Sequence, residues 1–318
     1  MRWISYVLWP ALMVTCIGIT ASGLGSANDL LYFNAAYLLM ALTLLLFEWK
    51  TPHEVSWQRG DGQTLANIAH TLTSKGVLQG MLFFSAYLGL ANLVTPLGAP
   101  NLVTPLGAPS LVTPLGAPSE GYWPRQWPLW AQAGIGLVIA ELPLYWAHRL
   151  SHEWLPLWRF HAIHHSVTRL WILNTGRFHF VDSLLSVVAG AGLLIALGAP
   201  MEVLKWLGAI TAFIGMLTHC NVQMRFGPLS WLFNTPELHR WHHSRLPAEG
   251  NSNYCQNIML WDLLFGTYFR PQRSPPANIG IDEPMPAAFL QQLLYPLRRP
   301  AHQREHATAH TDDGLTNR

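Results

Sequence analysis

Four stretches of this 318-residue chain, residues 3–20, 30–47, 65–93 and 127–147, run for about the length of a bilayer crossing with few charges. A helix needs roughly 20 mostly apolar residues to cross the hydrocarbon core, and only helices or closed barrels satisfy their backbone polar groups there. Two shorter apolar runs, 184–197 and 203–217, are joined by Gly198-Ala199-Pro200 and predict a tight helical hairpin. The predicted fold is therefore an all-α integral membrane protein, with four long transmembrane helices plus the shorter hairpin. Composition agrees: 11% of residues are charged and 50% hydrophobic, against roughly 25% charged in a soluble domain. So few charges do not cover a soluble protein of this size. Cys16, Cys220 and Cys255 are odd in number and far apart, which excludes a disulfide scaffold. A formal net charge of +2 gives no reason to expect nucleic acid as a partner. Only Arg2 precedes the first run as a basic residue and another span follows at once, so the run reads as a retained span rather than a signal peptide.

Lys and Arg set the expected orientation, because they accumulate in cytoplasmic loops. Residues 21–29 hold none and residues 93–126 hold only Arg125. Residues 48–64 hold Lys50 and Arg59, residues 148–182 hold Arg149, Arg159, Arg169 and Arg177, and the chain beyond 224 is Arg-rich. This places the N-terminus, the C-terminus and the segments around 148–182 and 224–270 on the cytoplasmic side, in the inner or plasma membrane of a bacterium. Residues 93–119 repeat Leu-Val-Thr-Pro-Leu-Gly-Ala-Pro-Asn/Ser three times. Two prolines per copy exclude a helix or a central strand, and the expectation is an outer loop without chemistry. From about Pro271 the chain turns Pro-rich and then polar, which reads as a flexible tail in which His302, His306 and His310 are solvated. Three parts are expected: N-terminal membrane helices and the repeat loop over 1–126, a catalytic region over 127–270, and the tail over 271–318.

Fifteen histidines are nearly as many as all Lys and Arg together, and ten of them lie between 148 and 243. They form an HxxxH box at His148 and His152, an HxxHH box at His161, His164 and His165, and a second HxxHH box at His239, His242 and His243. Residues three and four apart share a helix face, so each box presents imidazoles to one place. Neutral imidazole suits iron, zinc, copper and nickel. His179 and His219 bracket the hairpin, whose even number of crossings returns the chain to the same layer. Ten candidate ligands exceed the three or four of a single zinc site, so two metals are the natural count, held in a cytoplasmic cap at the membrane edge. Glu141 lies about two turns before His148 inside a span; with Asp262 it is a candidate catalytic-site carboxylate, supporting a ligand histidine from behind. The alternatives are pairing with a buried polar group elsewhere for Glu141 and a simple cap for Asp262. Asn174 is a further candidate for that supporting role, or a simple cap.

Residues Tyr145-Trp-Ala-His148-Arg-Leu-Ser-His152 and Phe160-His-Ala-Ile-His-His-Ser166 resemble the fatty acid hydroxylase/sterol desaturase superfamily. The likeness continues through Asn234-Thr-Pro-Glu-Leu-His-Arg-Trp-His-His-Ser244, Asn253-Tyr254 and Trp261-Asp-Leu-Leu-Phe-Gly-Thr-Tyr268, covering about residues 130–270. The resemblance implies a non-haem di-iron centre that uses O2 to hydroxylate or desaturate a membrane lipid such as a sterol, fatty acyl or alkylglycerol chain. It implies His148, His152, His161, His164, His165, His239, His242 and His243 as iron ligands, joined by His179 and His219. Phe180 stands where family members often carry Pro, which weakens the match at His179. No dinucleotide fingerprint, haem-attachment motif or ferredoxin-like cysteine cluster is visible, so electrons are expected from an external donor, either a separate protein or a small reductant. The alternatives are a membrane zinc-dependent hydrolase, or a protein that only binds or transports metal. A hydrolase of the HExxH type wants a Glu that no box supplies, and a transporter would place its ligands near the bilayer midplane.

Overall fold

A computed structural model describes residues 3–74 and 122–298. Among them the regular structure is helical, with isolated β-bridges and no strand. Helix α1 (Ile4–Gly23) turns back into α2 (Asp29–Lys50) through Gly25, whose φ of +80° a residue with a Cβ rarely adopts. Gly23 sits where a Cβ would strike the Tyr32 ring, so the two helices cross closely at this end. Helix α3 is described over 64–74. Then come α4 (Leu129–Glu153), α5 (Leu155–His165), α6 (Phe180–Ala196) and α7 (Met201–His219). The remaining elements are short: α8 (Leu229–Leu232), α9 (Pro236–His242), α10 (Pro247–Gly250), α11 (Leu260–Phe265) and α12 (Phe289–Leu293).

Helices α1, α2 and α7 share one core, in which Leu12, Cys16, Met40 and Leu44 meet Phe213, Ile214 and Leu217. Helices α4, α6 and α7 share a second, built around Ala140, Leu194 and Val203. Glycines set the approach here: a Cβ on Gly136 would lie 2.7 Å from Val203, and one on Gly190 would lie 3.2 Å from Leu144. The outer faces of α1 and α2 expose Val14, Leu30, Leu31, Leu38 and Leu42. An apolar surface of this kind is the one a bilayer covers.

The expected spans meet this fold unevenly. The first two runs are α1 and α2, and both are long and apolar enough to cross a membrane. The third run is described only to residue 74. The fourth becomes α4, which is long enough, but Gln132, Glu141, Arg149 and Glu153 lower its apolarity and it is not among the three crossing candidates. The third candidate is α7, one arm of the predicted hairpin. That hairpin forms as expected, turning at Gly198 (φ +80°), with the amide of Ala199 donating to the carbonyl of Leu194. Arg125 closes it from outside by donating to the Gly198 carbonyl at 2.6 Å.

The expectation of a flexible tail from 271 is corrected over its first half. Ile279 is buried, Ser244 bridges to Ile279, and the Gly280 amide donates to the His243 carbonyl. Gln292 is fully buried between His70 and Gln63. Polar composition concealed this, because the segment is held by hydrogen bonds and a few buried apolar residues rather than by a periodic apolar face. The 93–119 repeat and His302, His306 and His310 lie outside the described residues.

Candidate metal centre

Four helices deliver histidines from their C-terminal ends. His148 and His152 lie near the end of α4, His161 just before the last turn of α5 and His164 and His165 in it, and His219 closes α7. His239 and His242 lie on α9, with His243 as its cap. A helix C-terminus carries about half a negative charge, which favours a cation beside it. The nine rings gather into two groups: His148, His152, His161, His165 and His242 in the first, and His164, His219, His239 and His243 in the second. Within each group the candidate ligand nitrogens lie within 4.8 Å of one another. The groups adjoin, with the His165 and His243 rings stacked 4.3 Å apart.

The HxxHH spacing has a geometric consequence. His161 and His165 enter the first group and His164 the second, whereas His239 and His243 enter the second and His242 the first. Positions i and i+4 share a helix face, and position i+3 is rotated away from i+4 by about 100°. Each box therefore reaches both groups, and the two boxes do so in opposite senses.

Many Nε2 atoms converge. His161 Nε2 lies 3.1 Å from Nε2 of both His148 and His165, and His242 Nε2 lies 3.0 Å from that of His148. In the second group His239 Nε2 lies 2.9 Å from that of His219 and 3.1 Å from that of His243. Two nitrogens bound about 2.1 Å from one metal at right angles lie about 3.0 Å apart. His152 Nε2 is buried with no hydrogen-bond partner, the state of a nitrogen that awaits a metal. An all-imidazole donor set of this kind fits two transition-metal ions.

Neighbouring groups orient the rings from behind. His161 Nδ1 meets the buried Asp182 carboxylate at 2.8 Å. His148 Nδ1 donates to the Tyr254 carbonyl at 2.6 Å and His242 Nδ1 to the Ser252 carbonyl at 2.7 Å. His152 Nδ1 lies 3.2 Å from Asn251 Oδ1, and His219 Nδ1 lies 3.1 Å from Asn174 Oδ1. An Nδ1–H bound to an acceptor leaves Nε2 as the free ligand atom. Burial, reinforced by neighbouring imidazoles, holds His164, His165, His239, His242 and His243 well below their ordinary pKa of 6.5. They are neutral at pH 7, the form that ligates.

The remaining sequence candidates fall elsewhere. His179 belongs to neither group: it caps α6, its Nδ1 accepting from the Val181 amide at 3.1 Å, while Nε2 faces the Leu293 carbonyl. Glu141 and Asp262 are hydrogen-bonded to no histidine. Glu141 accepts from the amides of Gln256 and Asn257 and from Asn257 Nδ2 at 2.8 Å. Asp262 accepts from the amides of Tyr254 (2.9 Å) and Cys255 (2.7 Å) and from Thr267 Oγ1. Both carboxylates brace the loop whose carbonyls hold His148 and His242, one step further from the metals than expected. Asn174, by contrast, touches a ring directly. Asp182 was not singled out in the sequence; the available signal was an acidic residue in the first turn of a helix opening beside a histidine. Buried Arg177 and Arg240 were also missed. Arg177 donates to the Ile163 carbonyl and to Ser166 and Asn67, fixing the end of α5. Arg240 ties α9 to the carbonyls of Cys220 and Val222, and burial lowers its pKa to about 10.

Comparison with known proteins fits this centre. The family model described as fatty acid hydroxylase matches residues 133–267, which hold both groups. An ornithine lipid hydroxylase, OlsE, from Rhizobium tropici is 47% identical over 300 residues, covering 93% of this chain and 85% of that protein. The chain belongs to the fatty acid hydroxylase family. An alkylglycerol monooxygenase from Xenopus tropicalis is 28% identical over 146 residues, 46% of this chain and 31% of that protein. The fatty acid hydroxylase vlmA from Lecanicillium sp is 30% identical over 172 residues, 48% of this chain and 47% of that protein. No solved structure matches the chain. The resemblance read from the boxes is thus borne out: this fatty acid hydroxylase family member is a lipid-hydroxylating oxygenase with three helices apolar and long enough to cross a membrane and two histidine groups that could each hold a metal.

Proposed function

We propose that this family member holds two iron ions and uses O2 to hydroxylate a membrane lipid, with an ornithine lipid as the first substrate to test. The observation that carries the reading is the gathering of nine histidines into two adjoining groups with no carboxylate in either among the described residues. The substrate class follows the Rhizobium tropici relative, which aligns along 93% of this chain. A zinc hydrolase would use three ligands and an open water position, and nine converging imidazoles do not suit it.

Iron bound by these imidazoles would supply the oxidising power to break an unactivated C–H bond, which side-chain acid–base chemistry lacks. The protein's own contribution is placement. His148, His152, His161, His165 and His242 would hold one iron, and His164, His219, His239 and His243 the other. Asp182, Asn174, Asn251 and the carbonyls of Tyr254 and Ser252 keep the rings aimed. The exposed apolar faces of α1 and α2 would keep the lipid's surroundings continuous with the bilayer. Electrons come from an external donor.

Elemental analysis of detergent-purified protein tests this directly. About two irons per chain are expected; His242→Ala removes chiefly one and His164→Ala the other, and either variant abolishes O2- and reductant-dependent conversion of ornithine lipid. One tightly held zinc, with no iron after anaerobic loading, would refute the reading. We also infer that both termini and the histidine cap face the cytoplasm of a bacterial inner membrane, on the distribution of Lys and Arg. Reporter fusions after residues 26 and 298 should report the outer and the cytoplasmic side respectively, and the reverse pattern would overturn that orientation.

A further inference from the structure

The two histidine groups differ in what reaches them. A cavity of about 430 Å³ borders His152, His165 and His242, all members of the first group, and Trp158, Asn251 and Ile281 help complete its wall. His164, His219, His239 and His243 are absent from its lining and are all buried. The rings are also supported unequally. Four of five in the first group have Nδ1 fixed by Asp182, Asn251 or the carbonyls of Tyr254 and Ser252. In the second group only His219 is so fixed, through Asn174, and Nδ1 of His164, His239 and His243 is buried without a partner.

We propose that the two metal positions are inequivalent: the first group is the reactive position, which external ligands reach through the cavity, and the second is a closed position. This rests on the di-metal reading above and assigns roles within it. By ligand number alone the assignment would run the other way, since four imidazoles leave a metal more room than five. Access decides instead, because a metal exchanges ligands only where a path leads to it, and reactive sites keep one direction open while closed ones do not. Rings locked from behind suit a position that must hold its geometry while small ligands come and go. Ile281 belongs to neither group and lies on the cavity wall, so enlarging it narrows the path without touching a ligand.

The test uses the full chain in detergent, loaded anaerobically with Co(II), counted by elemental analysis and titrated with azide under visible absorption and EPR. Two cobalts per chain are expected, with azide perturbing one of them. His239→Ala should remove the silent cobalt and keep the azide-responsive one, and His242→Ala should do the reverse. Ile281→Trp should retain both cobalts and weaken azide at least tenfold. Azide perturbing both cobalts alike, or neither, overturns the assignment. So does loss of the responsive cobalt in His239→Ala, or unchanged azide affinity in a fully loaded Ile281→Trp. Fewer than two cobalts in the wild type would remove the di-metal reading itself, and the assignment with it, so the two failures are distinguishable.

Discussion

Asp182 is the carboxylate that meets a ring of the candidate centre directly. Its carboxylate meets Nδ1 of His161, whose Nε2 stands 3.1 Å from two other ligand nitrogens. Asp182→Asn keeps an acceptor but removes the negative charge, and partners of this kind are typically worth roughly tenfold to a hundredfold in metal affinity. Chelator competition should show iron retention weakened by that factor, with the helical content unchanged; unaltered retention would mean that Asp182 only fills space. Histidine spacing made the candidate ligands legible at this scale, because positions i, i+3 and i+4 emerge on the same side of a helix even though they divide between two groups. The supporting atoms were not legible. Asp182 is 21 residues from His161, and the Tyr254 carbonyl that holds His148 belongs to a backbone that carries no residue-specific signal.

At the scale of elements, the loop 251–258 works as the back wall of the first histidine group. Glu141 from α4 and Asp262 from α11 hold it by its amides, and Asn253 sits in the left-handed region at φ 54°, bonded to the Leu238 and Phe269 backbones. Glu141→Ala leaves two amides and the Asn257 side chain without their acceptor, a loss of about 3 kcal/mol when such groups stay buried. A lowered thermal midpoint in detergent, together with faster iron loss, is expected; a lowered midpoint with unchanged iron loss would separate the loop from the centre. The sequence placed Glu141 on a helix, two turns before His148. Whether it backs a histidine or pairs elsewhere stayed open, because seven residues along a helix fix which way a side chain points, but not what chain segment comes to meet it; the segment is the loop at Asn257. The same limit applies to His179, which stands at one end of the hairpin in the sequence and caps a helix in the fold.

For the whole molecule, the buried histidines couple stability to pH. His164, His165, His239, His242 and His243 are held well below their ordinary 6.5 by burial, so at these rings the folded metal-free chain stays unprotonated where the unfolded chain takes up protons. Below about pH 6.5 the unfolded state binds more protons than the native one, so stability rises with pH and is lost as pH falls through that value. Chelator-treated protein should therefore unfold at a clearly lower temperature at about pH 5.5 than at about pH 7.5. Metal should steepen the dependence, because protons and metal compete for the same nitrogens. An unfolding temperature that does not change with pH would mean that the rings are protonated in the fold.

Some properties of this chain are settled locally. Apolar runs long enough for a bilayer, a Gly-Ala-Pro break between two of them, and histidines at helical spacing depend only on neighbours within a few residues, so they stand in the sequence itself. The apolar helices α1 and α2, the α6–α7 hairpin and the eight box histidines were readable for that reason. The division of nine histidines into a group of five and a group of four, their reinforcement by Asp182 and Asn174, and the packing of residues 271–298 onto the cap come from segments far apart in the chain. Those were decided by tertiary structure, because a buried hydrogen bond selects its partner by position in space, and the helical periods that a sequence displays carry no information about which helix end will lie beside which.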